Sequence, residues 1–531
     1  MIVSIFNDVI GPVMRGASSS HCAAALRIGR LARDLMDGDI TGILVEFDRG
    51  GSLPTTHESQ GSDMGLFGGL LGWDAADERL PASDAALRDA GVDVRIEIVD
   101  VHDEHPNTYR LTLRNGRETH TVVAISTGGG MMEVIAIDGI PVSMGGDYFE
   151  TLLFAGSQGR AVAQVVAARM AVDEVLVHDS PDGQLVEVRA QAFINITDAL
   201  AADLRALAPG LVVKRLGPVL PVLSRADVRV PFNTCEELMR YDAGRDVHLW
   251  QWAVEYERAR GGLSEAEVIA RMVEIVRLLR RSIAQGISGT TYDDRVLGHQ
   301  SGNFERRMRE GRLLDGGALN RTVLYVTALM EVKSSMGAIV AGPTAGACAA
   351  LPASCIAMAE EMNLSEGDMA RGLLAAGLIG VFITGRWTFA AEVGGCQAEG
   401  GSAAAMAAAA LVTLAGGTLS QAVAASSMAL QSMLGLICDP VAGRVEVPCL
   451  GKNVLAAGHA LSSANMALAD FDPVIPFDEV VDAARRVAGQ IPRELRCTSL
   501  GGLATTKTAI AIQARLAHRK TGCGAGCGCG S

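Results

Sequence analysis

Along the first 150 residues, apolar and polar positions alternate in short bursts. ILVEFD, VRIEIVDV, TYRLTLRN and HTVVAIS have the two-residue period and β-branched content of half-buried strands. The stretch from Ala23 to Met36 and DMGLFGGLLGW have helical spacing instead, so residues 1–150 are predicted to form an α/β (α+β) domain. From 151 to 222 the runs read strand (TLLFAG), helix (GRAVAQVVAARM), strand (EVLVHD), strand (LVEVRA), helix (ITDALAADLRAL) and strand (LVVKRL). That β-α-β-β-α-β order predicts a small ferredoxin-like domain, with SPDG as the turn between its middle strands. Pro218, Pro221 and Pro231 mark a linker. Beyond residue 234 alternation gives way to Ala- and Leu-rich helical spacing, which predicts an all-α domain over 235–510. The Ala- and Gly-rich runs after residue 400 are interrupted by Ser, Thr and Gln and read as buried helices, not membrane spans. Residues 511–531, ending in TGCGAGCGCGS, read as a flexible Cys/Gly-rich tail.

A chain of 531 residues is long enough for the two or three domains this pattern divides it into. Its 46 Lys and Arg against 60 Asp and Glu give a net charge of −14, which argues against nucleic acid or an anionic membrane as partner. No Lys/Arg-led apolar signal opens the chain, and 11 cysteines then favour the reducing cytoplasm, with some of them as metal ligands. The abundance of apolar helix predicts a homodimer or higher homo-oligomer.

Three cysteines, Cys396, Cys438 and Cys449, stand among small and turn-forming residues in GGCQAEGG, LGLICDPVAG and RVEVPCLGKN. Thiolates suit iron–sulfur clusters and zinc, and three ligands leave one metal position open for chemistry. The plainer alternative is three buried small hydrophobes. Ser18, Ser19, Ser20 and His21 place three hydroxyls and an imidazole on one loop, able to surround a small carboxylate, with His21 as acid or base. Ser20 alternatively caps the helix that follows. In AGPTAGACAALPA, Thr344 and the amides near Gly346 could hold substrate, with Cys348 and Cys355 in the core. Lys333, Ser334, Ser335, Arg386, Glu392, Glu399, Lys452, Asn453 and His459 read singly as structural.

GGCQAEGGSAAAMAAAAL and LGLICDPVAGRVEVPC…KN resemble the α domain of the iron–sulfur-dependent L-serine dehydratases. SIFNDVIGPVMRGASSSHCAAA resembles the opening of that family's β domain, and GGSLPTT, STGGG, AGPTAGACAALPA and TSLGGLA extend the likeness over nearly the whole chain. The resemblance implies a single-chain form joining both domains, with residues 151–222 as an ACT-type regulatory domain. It implies a [4Fe-4S] cluster on Cys396, Cys438 and Cys449 and removal of water from L-serine to give pyruvate and ammonia. It also implies substrate contacts at Ser18, Ser19, Ser20, Thr344 and Asn453, with Ser20 and His21 in catalysis. A tail cysteine covers the open iron in known members, and here Cys523, Cys527 and Cys529 are the candidates. The chain departs from the family pattern at Ala17, Cys22, Gln60, Ala345, the stretch RWTFAAE with Trp387 and Phe389, and Cys497, which stands within the usual RET. These changes leave room for a larger 3-hydroxy amino acid or a thiol substrate, as in cysteine desulfidation. A non-catalytic amino-acid sensor and a zinc hydrolase are the readings from other classes.

Overall fold

The alternating runs do form sheets. The computed structural model describes residues 2–16, 18–58, 60–181, 183–245 and 247–522. A six-stranded sheet runs in the order Asp93–Val99, Gly42–Asp48, Thr108–Arg114, Thr119–Gly128, Met131–Ile137, Ile140–Met144. Its first two strands are parallel and the other neighbours antiparallel. Val45, Phe47, Tyr109, Leu111, Val122 and Ala124 point into one core, with the half-exposed Glu46, Arg110 and Val123 between them, as a one-sided sheet requires. Helices Ala24–Leu35 and Ser62–Leu70 pack together at very short range. A Cβ on Gly29 would lie 2.3 Å from the Leu66 carbonyl oxygen, and one on Gly69 2.2 Å from that of Leu26.

A second, four-stranded antiparallel sheet follows, in the order Val212–Leu216, Phe149–Phe154, Gly183–Ala190, Glu174–Ser180. Helices Gly159–Arg169 and Asp198–Leu207 complete the predicted β-α-β-β-α-β order, burying Val162, Val166, Leu200 and Leu204 against Val186 and Val188. Thr197 caps the second helix, its hydroxyl accepting from the Leu200 amide. The two sheets do not separate at residue 150. Leu152, Leu185 and Leu216 leave the small sheet's other face and enter the core of the large one, so Ser19–Arg229 is one compact unit.

The second compact unit is helical, and it takes the stretch ending at Ser18 as well as the chain from Val230 onward. The sequence placed those first residues with the sheet. Instead, Val13–Arg15 pairs antiparallel with Ala338–Val340, and Ile5 and Val9 sit against Gly377 and Gly380 of helix Glu366–Thr384. Ser4 Oγ donates to Glu257 Oε1 at 2.5 Å, and the Ile5 amide donates to Oε2 at 2.8 Å. Helix Ser402–Leu414 is buried on nearly every side among helices Ala350–Glu361, Glu366–Thr384, Leu419–Gln431 and Cys449–Leu468. Its alanines let four neighbours approach it at once. Glu366–Thr384 is long and apolar enough to cross a bilayer, and it is mostly buried within this unit.

Two local readings change. Ser20 caps no helix. Ser19–Ala23 form a π-helical turn that runs straight into the Ala24–Leu35 helix. The predicted tail is helical at its start, Lys507–Gly522, because TKTAIAIQARLAHRK is made largely of helix formers and the glycine repeat begins only after it. Cys523, Cys527 and Cys529 lie outside the described residues.

Candidate active site

In the helical unit, three separate chain segments bring cysteines together. Cys396 follows a short helix, Ala391–Gly394, and a glycine at φ +69°, Gly395, where any side chain would strike the Leu436 carbonyl oxygen. The Gln397 amide donates to that same carbonyl at 2.9 Å, and Gln397 Oε1 accepts from the Gly435 amide at 2.8 Å. The Cys396 turn is thereby fastened to the segment that carries Cys438. Cys396 and Cys438 share a small buried cluster with Ala391, and Leu436 and Cys497 pack against it. Cys449 begins the helix Cys449–Leu468 and is buried.

The electrostatics tie these thiols into one group. The Cys438 thiol is pushed well up, first by hydrogen bonding with Cys396 and Cys497 and then by burial. Cys449 is pushed up by burial, with the charges of Cys396, Glu399 and Cys497 adding to it and Lys333 opposing. Lys452 Nζ lies 3.7 Å from Cys396 Sγ and donates to the Ile437 carbonyl at 2.6 Å and Asp439 Oδ1 at 2.7 Å. Burial works against its charge, but Cys396, Asp439 and Cys438 more than offset this. The upward shifts of Cys438 and Cys449 favour their protonated thiols, and a coordinated metal deprotonates such groups outright. Among the described residues no three His, Cys, Asp or Glu side chains gather tightly enough for a single metal ion. A four-iron cluster spreads its thiolates wider than one ion does. A donor set of thiols alone, from several segments, with a lysine beside one sulfur, fits such a cluster.

Next to the thiols lies a buried turn. Thr344 Oγ1 donates to Glu399 Oε1 at 2.8 Å and accepts from the Ala347 amide at 3.2 Å. A Cβ on Gly346 would come within 2.6 Å of Glu399 Oε2, so the turn lies directly against this carboxyl. Burial, with the neighbouring Glu392 charge, pushes Glu399 up to about 7, opposed by the Thr344 hydrogen bond and by Lys333 and Lys452. A carboxyl poised there can accept or give a proton at neutral pH. The sequence treated Glu399 as structural, although its place three residues after Cys396 put it on the cysteine turn. Lys333 is buried and donates to the Val445 carbonyl. Arg386 pairs with Asp482 at 2.6 Å, while Cys348 and Cys355 are core residues as expected. Trp387 packs on Gly394, and Phe389 is buried.

Asn453 is committed to the backbone. Its Nδ2 donates to the carbonyls of Gly346 (2.8 Å) and Cys449 (2.9 Å), and its Oδ1 accepts from the amides of Ala349 (3.3 Å) and Ala350 (3.0 Å). This pins the Thr344 turn to the Cys449 helix and leaves no donor or acceptor for substrate. Asn453→Ala would strand several buried backbone groups. The expected cost is about 3 kcal/mol, read as a fall in urea midpoint at unchanged slope; a midpoint within error of the parent would refute the bridge.

The serine–histidine motif contains, in sequence, the boundary between the two units. Ser18 ends the stretch belonging to the helical one, and Ser19, Ser20 and His21 open the other. Within that unit His21 is buried, with Nε2 3.0 Å from Thr56 Oγ1 of GGSLPTT. Ser126 Oγ of STGGG donates to the Ser20 carbonyl at 2.7 Å. Three motifs that were separate in the sequence therefore meet around His21. Burial lowers this imidazole to about 4, so it is neutral at pH 7 but a weak base. Near Gln60, where the family pattern has a histidine, His57 Nδ1 lies 2.8 Å from the Asp63 carboxylate. The sequence reading overlooked that imidazole.

Residues 244–504 match the family model for the serine dehydratase alpha chain. The chain is 34% identical over 285 residues to the probable L-serine dehydratase alpha chain of Bacillus subtilis (strain 168), covering 54% of this chain and 95% of that one. The L-serine dehydratase alpha chain of Peptoniphilus asaccharolyticus is 36% identical, over 53% of this chain and 97% of its own. The probable beta chain of the Bacillus subtilis enzyme matches at 33%, over 38% of this chain and 93% of its own. The protein is an enzyme of the lyase class. It belongs to the iron–sulfur L-serine dehydratase family and has likeness to both chain types in one polypeptide.

Proposed function

We propose that this chain deaminates L-serine, or a related 3-hydroxy amino acid, by eliminating water across Cα–Cβ to give a 2-oxo acid and ammonia, using a [4Fe-4S] cluster on Cys396, Cys438 and Cys449. The gathering of these three cysteines, with Lys452 beside Cys396, is the observation that carries the reading. When bound, the cluster would supply a Lewis-acidic iron to draw off the hydroxyl.

The rest falls to the chain. Glu399 is the proton carrier we favour over His21, because a group near 7 both takes the Cα proton and gives it up again. Thr344 orients the Glu399 carboxyl, and Asn453 holds the Thr344 turn in place. Lys452 offsets negative charge at Cys396. His21, with Ser18, Ser19 and Ser20, is the candidate anchor for the substrate carboxylate. Elimination leaves an enamine, whose imine tautomer hydrolyses in water to the 2-oxo acid and ammonia. The β-α-β-β-α-β portion is the candidate ACT-type regulatory domain, and we place the enzyme in the reducing cytoplasm as a homo-oligomer.

The test is anaerobic purification, reconstitution with iron and sulfide, and assay of L-serine, L-threonine and L-cysteine. A brown protein that forms pyruvate and ammonia from L-serine is expected. Sulfide release from L-cysteine with serine untouched would reassign the substrate. A protein that binds no iron and turns over none of the three would remove the proposal.

A further inference from the structure

Cys497 is a fourth cysteine at the same place. It is half-buried and packs against the cluster formed by Ala391, Cys396 and Cys438. The backbone sets this proximity: the Cys438 amide donates to the Leu495 carbonyl at 2.8 Å, and the Cys497 amide donates back to the Cys438 carbonyl at 2.9 Å. These bonds form a parallel bridge between Cys438 and Arg496. The segment after it is anchored too, with the Leu503 amide donating to Asp439 Oδ2 at 2.9 Å beside the Lys452–Asp439 pair. Cys497 has φ +61°, a conformation disfavoured for a residue with a Cβ and held here by bonds on both sides.

We propose that Cys497 is the chain's own fourth thiolate for the cluster, resting on the iron that the other three cysteines leave open. The inference builds on the cluster reading above and assigns the capping role to an ordered residue of the core in place of a tail cysteine. With the cluster bound, the Cys497 thiol would give its proton to solvent and supply a fourth thiolate in exchange for water. Substrate would displace that thiolate, which would then regain its proton. Half-burial leaves the Cys497 side chain room to withdraw, and the backbone bridge keeps it within reach.

The experiment uses the full chain, reconstituted anaerobically, as parent, Cys497→Ala, Cys497→Ser and a Cys523/Cys527/Cys529 triple alanine variant. Each is treated with ferricyanide and followed by electron paramagnetic resonance and iron count. The parent and the triple variant are expected to keep four irons per cluster. Cys497→Ala should lose one and develop the three-iron signal at least tenfold faster, with Cys497→Ser between. L-serine added to the parent should speed its loss toward the Cys497→Ala rate. Equal rates in parent and Cys497→Ala, or loss of protection only in the triple variant, would overturn the assignment. A parent that binds no cluster at all would overturn the cluster reading itself, and this inference with it.

Discussion

Cys438→Ala is expected to give a folded, colourless protein that forms no 2-oxo acid. The fold should survive because Cys438 is positioned by its backbone, through the Leu495 carbonyl and the Cys497 amide, and alanine keeps both bonds. The thiol contributes little to packing, so the stability loss should be about 1 kcal/mol. What disappears is the sulfur that sits between Cys396 and Cys497. With a ligand gone from the middle of the set, the brown absorbance of the reconstituted protein should be lost and turnover should fall to background. The checks are iron and sulfide content, visible absorbance, and ammonia release beside the parent. A brown, active Cys438→Ala protein would show that the cysteines are core residues after all.

The second large effect is expected at Glu399. Glu399→Gln preserves size and still accepts a hydrogen bond from Thr344, but it cannot ionise. A lost general base costs roughly 10²–10⁴ in rate. The pH dependence separates this from a packing defect. Glu399 is held up to about 7 by burial, so as a base it is inactive below that value, and kcat/KM of the parent should rise as pH increases through it. In Glu399→Gln that rise should vanish while cluster content and Tm stay near parental. A variant that keeps the parental profile would move the base elsewhere, with His57 and His21 next to be tried.

The periodicity revealed local structure well and long-range partners poorly. The runs TLLFAG, EVLVHD, LVEVRA and LVVKRL sit where the four strands form, because half-buried strands require alternation. Nothing in that pattern says that Leu152, Leu185 and Leu216 face another sheet's core. Nor does it say that Val13–Arg15 pairs with residues more than three hundred positions away. The cysteines show the same limit. Cys396, Cys438 and Cys449 were singled out through their glycine- and proline-rich settings and the family resemblance. Cys497 registered only as a departure, because its neighbourhood is created by a backbone bridge between distant segments. Asn453 was noticed for its position, and its four bonds to backbone could be seen only once the turn was built. The alternative of Ser20 as a cap fails at a π-helical turn, which has no signature in residue type.

The opening segment seated in the helical unit bears on how such an enzyme can be divided. Glu257 is buried, its carboxyl is satisfied by Ser4 and Ile5, and burial raises it to about 7. Tyr256 and Arg260, on the same helix, donate to the carbonyls of Val3 and Ile2. A gene cut at Val230 would therefore yield a helical half with an open slot and an unsatisfied acid at its base, because its missing plug was translated with the other half. An organism that makes this enzyme as two polypeptides would have to break a single cooperative core and rebuild it between subunits. The half carrying the sheets would also carry the segment that completes the helical core, so the helical product would mature fully only when the two were made together.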